Sequence, residues 1–186
     1  MLVVGHRGAA GLAPENSLEA MRAGVAAGAD MLEFDVRLTS DGVPVVIHDG
    51  NLSRTHHHRI TISQITLAEL HEKTIGQPVP TLVQVLDEFF GKILLNIEIK
   101  SKGGGAVVAD MISRDYIKRL PDWDNVLFSS FKANELTDVR KVSKHSNLAL
   151  LHDQNPYIFI AYQRKLRLTA VGFHRLYVNQ FALEIA

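Results

Sequence analysis

Short apolar runs of strand length recur along this chain, and most of the intervals between them carry helix signals. The strand candidates are Leu2–His6, Met31–Leu38, Val43–His48, Ile93–Lys100, Val126–Phe131, Leu148–His152 and Leu168–His174. Such alternation predicts an α/β fold, with a mostly parallel sheet and helices outside it. The seven candidates favour a TIM-type β/α barrel, about seven of its eight strands, over a doubly wound sheet. No GxGxxG follows the first strand, so a dinucleotide-binding version has no support.

Helix starts can be read from capping patterns. Asn16-x-x-Glu19 predicts a capping box ahead of Leu18, Met21 and Val25, with Gly28 as the stop. Thr66-x-x-Glu69 predicts a short helix to about Lys73, and Thr81-x-x-Gln84 another that ends at Gly91. Further helices are expected over Ala106–Leu120, Lys132–His145 and, after Asn155-Pro156, Tyr157–Arg167. Only Thr39-Ser40-Asp41-Gly42 separates the second and third strands, too short for the parallel crossover of roughly a dozen residues. Asp41-Gly42 is a hairpin signal, and a two-residue turn there would set Asp35 opposite His48.

Composition narrows the function. The 186 residues fit one domain, 1–186, with no internal repeat or linker. Lys+Arg and Asp+Glu are both 20, so no net field draws the chain onto nucleic acid or an anionic membrane, and an anionic ligand needs a local site. There is no cysteine, which excludes disulfides and thiolate metal sites. The N-terminal residues lack a signal-peptide pattern and no apolar run reaches roughly 18 residues, so a cytoplasmic protein without a membrane span is expected.

The polar residues cluster at strand ends. Residues two apart in a strand share a face. Glu33, Asp35 and Arg37 therefore point one way in the second strand, and Asn96, Glu98 and Lys100 do so in the fourth. Other strands finish in His6-Arg7, His48-Asp49, Ser129-Ser130, His152 and His174. In a β/α barrel the strand C-termini form the active-site rim. Glu33, Asp35 and Glu98 would bring three carboxylates to one mouth, where a hard divalent ion (Mg²⁺, Ca²⁺ or Mn²⁺) relieves their repulsion. The plain alternative is a set of structural ion pairs with Arg7, Arg37 and Lys100. His6 and His48 suit general acid and base work near neutral pH. Arg7 and Lys100 suit a phosphate. Together these groups suggest phosphoryl chemistry. Ser101-Lys102-Gly103-Gly104-Gly105 reads either as an anion-holding loop or as a plain connection. His56-His57-His58 reads as a solvated loop, because three adjacent histidines rarely match the spacing of a metal site.

These segments resemble the glycerophosphodiester phosphodiesterases. The matching residues are His6-Arg7-Gly8, Pro14-Glu15-Asn16-Ser17, Glu33-Phe34-Asp35, Asp41-Gly42, Val45-Val46-Ile47-His48-Asp49, Leu52-Ser53-Arg54-Thr55, Asn96-Ile97-Glu98-Ile99-Lys100 and Ser129-Ser130-Phe131, in the family's order and spacing. The resemblance implies a TIM-type barrel with a small insertion after the third strand, about 52–80 here. It implies a divalent metal (Mg²⁺ or Ca²⁺) on Glu33, Asp35 and Glu98, acid–base catalysis by His6 and His48, and Arg7 and Lys100 at the phosphate. It also implies hydrolysis of a glycerophosphodiester such as glycerophosphocholine to sn-glycerol 3-phosphate and an alcohol, through a cyclic phosphate. The sequence departs from the family in His56–His58, where Thr and Gly are usual. It also stops in a helix expected near Asn179, without the strand that would complete the barrel.

Barrels of this class run to about 250 residues, with about 200 as the lower end. The expectation is therefore a barrel lacking its last strand and helix, of low or no activity, whose open edge a second copy of the chain could cover. Two other readings stand beside the enzyme: an inactive barrel that binds phosphodiesters or a partner, and a related phospholipase- or sphingomyelinase-type phosphodiesterase.

Overall fold

The computed structural model describes residues 2–152 and 157–173. Seven strands are present among them: β1 Val4–His6, β2 Met31–Leu38, β3 Pro44–Val46, β4 Leu94–Ile99, β5 Val126–Ser130, β6 Asn147–His152 and β7 Ala170–Phe173. Every strand candidate yields one of these. The helices are α1 Leu18–Ala26, α2 Ser53–His56, α3 Leu67–Lys73, α4 Leu82–Phe89, α5 Gly104–Asp115, α6 Ala133–Val142 and α7 Tyr157–Leu166. The start expected at Asn155-Pro156, His174 and the helix expected near Asn179 lie outside the described residues.

Six strands pair in parallel in the order β1-β2-β4-β5-β6-β7, as in a TIM-type barrel wall. The third strand is not part of that wall: β3 pairs antiparallel with β2. Among the described residues β1 and β7 do not meet. The odd-numbered face of β4 and the even-numbered face of β2 are apolar. Leu32, Phe34, Leu95, Ile97 and Ile99 pack there against Met21 of α1, Val85 of α4, Val108 of α5 and Leu136 of α6 in one core. Burying a side chain of this size contributes roughly 1.5–3 kcal/mol, so this face fixes the strands and leaves the opposite one free for polar groups.

One edge of β2 is shared by two strands. β1 covers Met31–Glu33 and β3 covers Val36–Leu38. At Asp35, in the gap, Asn16 Oδ1 accepts the backbone N–H at 3.1 Å and Ile47 N–H donates to the carbonyl at 3.0 Å. The hairpin expectation needs a register correction, because Asp35 faces Ile47 and not His48. Thr39 N–H donates to Val43 O at 3.1 Å, so the loop is Ser40-Asp41-Gly42. A three-residue loop with Gly42 in the left-handed region (φ +78°) shifts the partner by one.

The capping expectations divide in the same way. Thr66/Glu69 and Thr81/Gln84 form reciprocal capping boxes. The cap of α1 is Ser17, whose hydroxyl accepts Ala20 N–H at 3.0 Å. Asn16 is instead buried in the left-handed region (φ +58°), a conformation Asn tolerates. Residues 52–80 contribute to a second small core in which Leu52, Ile62, Leu70 and Val79 pack on Val45 and Ile47. His56 ties this segment together: its Nε2 lies 2.8 Å from the Gln77 carbonyl, so it is a structural link and not simply solvated. Among the described residues no helix is long and apolar enough to cross a membrane.

Candidate active site

Parallel register aligns the polar rows. His6, Glu33 and Asn96 are neighbours across β1, β2 and β4; Asp35, Glu98 and Ser129 are neighbours across β2, β4 and β5. Both rows lie on the face opposite the helix-covered core. One carboxylate oxygen each from Glu33, Asp35 and Glu98 lies within 4.8 Å of the other two, and all three residues are buried (7%, 1% and 8% exposed).

Two cations from the expected set enter this cluster. Lys100 Nζ is 3.1 Å from Asp35 Oδ1 and 2.5 Å from Glu98 Oε1. Arg7 Nε is 3.6 Å from Asp35 Oδ2, and Arg7 N–H donates to Glu33 Oε2 at 2.9 Å. Two cations against three acids leave one carboxyl under-compensated. Burial pushes Glu33 up to about 8, with Asp35 and Glu98 adding to the rise and the Arg7 N–H opposing it. Asn96 Oδ1 is buried with no hydrogen-bond partner, and Glu98 Oε1 meets only the Lys100 ammonium. Carboxylate and amide oxygens in this number are the donor set of a hard divalent cation, so the residues fit one. The ion-pair reading holds as well, but only for Arg7 and Lys100; Arg37 makes no ion pair among the described residues.

Of the two histidines, His6 stands directly beside the triad. His6 Nε2 lies 3.8 Å from Glu33 Oε2, with its side chain 70% exposed. His48 follows β3 and is brought to the same sheet end by the Ile47–Asp35 bond. Its Nδ1 lies 2.7 Å from Asp49 Oδ1, a contact that fixes the ring and leaves Nε2 out of it.

A chain of ion pairs that sequence reading missed connects the two histidine loops. Glu15 accepts from Arg7 Nη1 at 2.9 Å and from both terminal nitrogens of Arg54, at 2.9 and 2.6 Å. Arg54 Nε donates to Asp49 Oδ2 at 2.7 Å. Hydrogen bonds from Arg54 hold the Glu15 carboxyl below its usual range and, with His48, take Asp49 down to about 2. Asn16 was missed too: its amide donates to Asp35 Oδ2 at 2.9 Å. Glu15 and Asn16 sit in the Pro14–Ser17 segment and Arg54 in Leu52–Thr55, and nothing in their local pattern marks them as partners of Asp49 or Asp35.

The Ser101–Gly105 loop does not present its N–H groups to an outside anion. Gly103 N–H and Gly105 N–H donate to the two carboxylate oxygens of buried Glu135, at 3.1 and 2.9 Å. Glu135 is the anion at the start of α5.

Comparison with known proteins agrees with this geometry. The pattern described as the Glycerophosphoryl diester phosphodiesterase family matches residues 6–178. A glycerophosphodiester phosphodiesterase of Caldanaerobacter subterraneus is 35% identical over 96% of this chain and 76% of its own length. The glycerophosphodiester phosphodiesterase structure from Thermotoga maritima superposes with TM-score 0.83 at 29% identity, covering 100% of this chain and 79% of that one. An Oleispira antarctica phosphodiesterase, solved in complex with the product sn-glycerol 3-phosphate, gives TM-score 0.83 at 27% identity, over 100% of this chain and 80% of that one.

Proposed function

This chain belongs to the glycerophosphoryl diester phosphodiesterase family, and from that premise we propose that it hydrolyses glycerophosphodiesters such as glycerophosphocholine to sn-glycerol 3-phosphate and an alcohol. The observation that carries the reading is the buried Glu33–Asp35–Glu98 triad with Lys100 and Arg7 in it and His6 beside it. Glu33, Asp35 and Glu98 would hold one divalent cation, Mg²⁺ or Ca²⁺. When bound, it supplies positive charge against the phosphoryl oxygens.

The chain's own residues do the rest. Arg7 and Lys100 hold the phosphodiester and stabilise the charge that develops on it. One imidazole takes the proton of a glycerol hydroxyl as its oxygen attacks phosphorus. The other delivers a proton to the departing alcohol oxygen as its bond to phosphorus breaks. Water then opens the cyclic phosphate, with the two imidazoles in exchanged roles. Asp49 holds His48 by Nδ1 so that Nε2 carries its proton transfers.

A homo-oligomer is part of the proposal. Leu2, Val3 and Val4 on and before β1 are exposed, and no described strand pairs with the outer edge of β1. A second copy covering that edge would bury apolar surface beside His6. The second reading is a barrel that binds phosphodiesters without turning them over. Phosphorus NMR of glycerophosphocholine with the protein and added Mg²⁺ or Ca²⁺ separates the two readings. Growth of an sn-glycerol 3-phosphate signal supports the enzyme; line broadening without product supports the binder.

A further inference from the structure

Beside the triad lies a cleft of about 420 Å³ lined by Arg37, Lys100, Lys102 and Lys132, with hydroxyls from Ser101 and Ser63. A volume of this order accommodates a small ligand. Among the described residues no carboxylate lines it, in a chain whose charges otherwise balance.

Arg37 is the residue the active-site account leaves over. It is half-buried, its Nε donates to the His48 carbonyl at 2.8 Å, and it makes no ion pair among the described residues. The carboxylates whose field it feels, Asp35, Asp49 and Glu98, are engaged by Asn16 and Lys100, by Arg54 and His48, and by Lys100. Lys132 stands on the other side. Its Nζ donates to the Lys100 carbonyl at 2.7 Å, which anchors the ammonium over the cleft with two N–H groups to spare. Ser101 Oγ accepts the Leu38 N–H at 3.0 Å and keeps its own proton for a further acceptor.

We propose that this cleft is a second anion subsite, which binds a phosphate or carboxylate carried by the alcohol part of the diester. The inference rests on the proposed phosphodiesterase reading, because Lys100 belongs to both sites and sets them side by side. It narrows the substrate class to glycerophosphodiesters whose alcohol bears an additional negative group. Arg37 and Lys132 are then specificity residues, outside the catalytic set.

A matched pair of substrates isolates the extra charge: glycerophosphoinositol and glycerophosphoinositol 4-phosphate. The expected kcat/KM ratio favours the phosphorylated substrate by about tenfold or more, a difference of about 1.4 kcal/mol. Arg37→Gln and, separately, the exposed-site change Lys132→Gln should each pull that ratio towards one. Equal kcat/KM values for the two substrates in the unaltered protein would overturn the proposal, as would a ratio that neither substitution changes. Calorimetric titration of the EDTA-treated protein with myo-inositol 4-phosphate and myo-inositol keeps the test independent of turnover. Heat from the phosphorylated alcohol alone, lost in Lys132→Gln, supports the subsite even if no substrate is cleaved, and the phosphodiesterase reading would then fail by itself. No phosphate-dependent heat overturns the subsite. Inorganic phosphate is the third titrant: binding as tight as that of inositol phosphate would assign the cleft to free phosphate and overturn the substrate-linked reading.

Discussion

Asn16 grips Asp35 at two points, donating its side-chain amide to Oδ2 at 2.9 Å and accepting the Asp35 backbone N–H at 3.1 Å. The side chain replaces the strand partner that β2 lacks between β1 and β3, and it aims a triad carboxylate. Asn16→Gly keeps a backbone suited to positive φ and removes only the grip. Unfolding in urea should show a loss of about 1–3 kcal/mol for the unpaired buried groups, and calorimetry should show weaker binding of Mg²⁺ or Ca²⁺. Unchanged stability and affinity would mean that β2 holds Asp35 unaided.

His6→Ala and His48→Ala should each lower kcat by about 10²–10⁴, the range for a positioned acid or base. Asp49→Asn keeps the shape of the Asp49 side chain but weakens its hold on His48, so kcat should fall with little change in KM. Near-normal turnover in either alanine variant removes that imidazole from the mechanism.

Glu33 gives the metal-free protein a signed pH dependence. Its folded pKa of about 8 lies above the ordinary value of 4.5, so the folded state holds the proton more tightly. This contribution to stability is complete below pH 4.5 and is lost as pH rises to about 8. The slope attributable to Glu33 is at most about 1.4 kcal/mol per pH unit. Unfolding in EDTA from pH 5 to 8, for the unaltered protein and Glu33→Gln, isolates the effect as the difference between the two. The substituted protein should lose less stability across the range, and identical slopes would contradict the assignment.

Much of this site could be read from the sequence, and the reasons differ by residue. Glu33, Asp35, Glu98 and Lys100 stand out because a period of two puts polar residues on one face of otherwise apolar strands. Glu15, Asn16 and Arg54 do not, since they lie outside the strands where no period marks them, and Glu15 and Asn16 meet partners 39 and 19 residues away along the chain. Asn16 mimicked a helix cap because Ser17, the true cap, stands next to it. The one-residue register error at His48 came from the loop, whose length depends on the φ of Gly42. Glu135 reads as an ordinary polar residue of a helix until α5 is packed against α6.

That packing gives a sharp test of Gly105. A Cβ there would sit 2.1 Å from the Glu135 carbonyl oxygen, which is backbone and cannot swing aside. Gly105→Ala gains up to about 1 kcal/mol in helix propensity, but forcing α5 and α6 apart costs about 1–3 kcal/mol and strains the Glu135 bonds. Net destabilisation in urea unfolding is expected. A more stable Gly105→Ala protein would show that the two helices can separate freely.

The metal dependence of turnover tests the central claim most directly. The protein is stripped with EDTA, its metal content is checked by elemental analysis, and glycerophosphocholine hydrolysis is followed as Mg²⁺, Ca²⁺ or Mn²⁺ is returned. Activity should vanish on stripping and return with at least one of these ions. Glu98→Gln, which keeps an oxygen but loses its charge, should need a higher ion concentration for half-restoration. Full hydrolysis by the metal-free protein, or a Glu98→Gln variant restored at the same concentration as the unaltered chain, would contradict a metal centre on Glu33, Asp35 and Glu98.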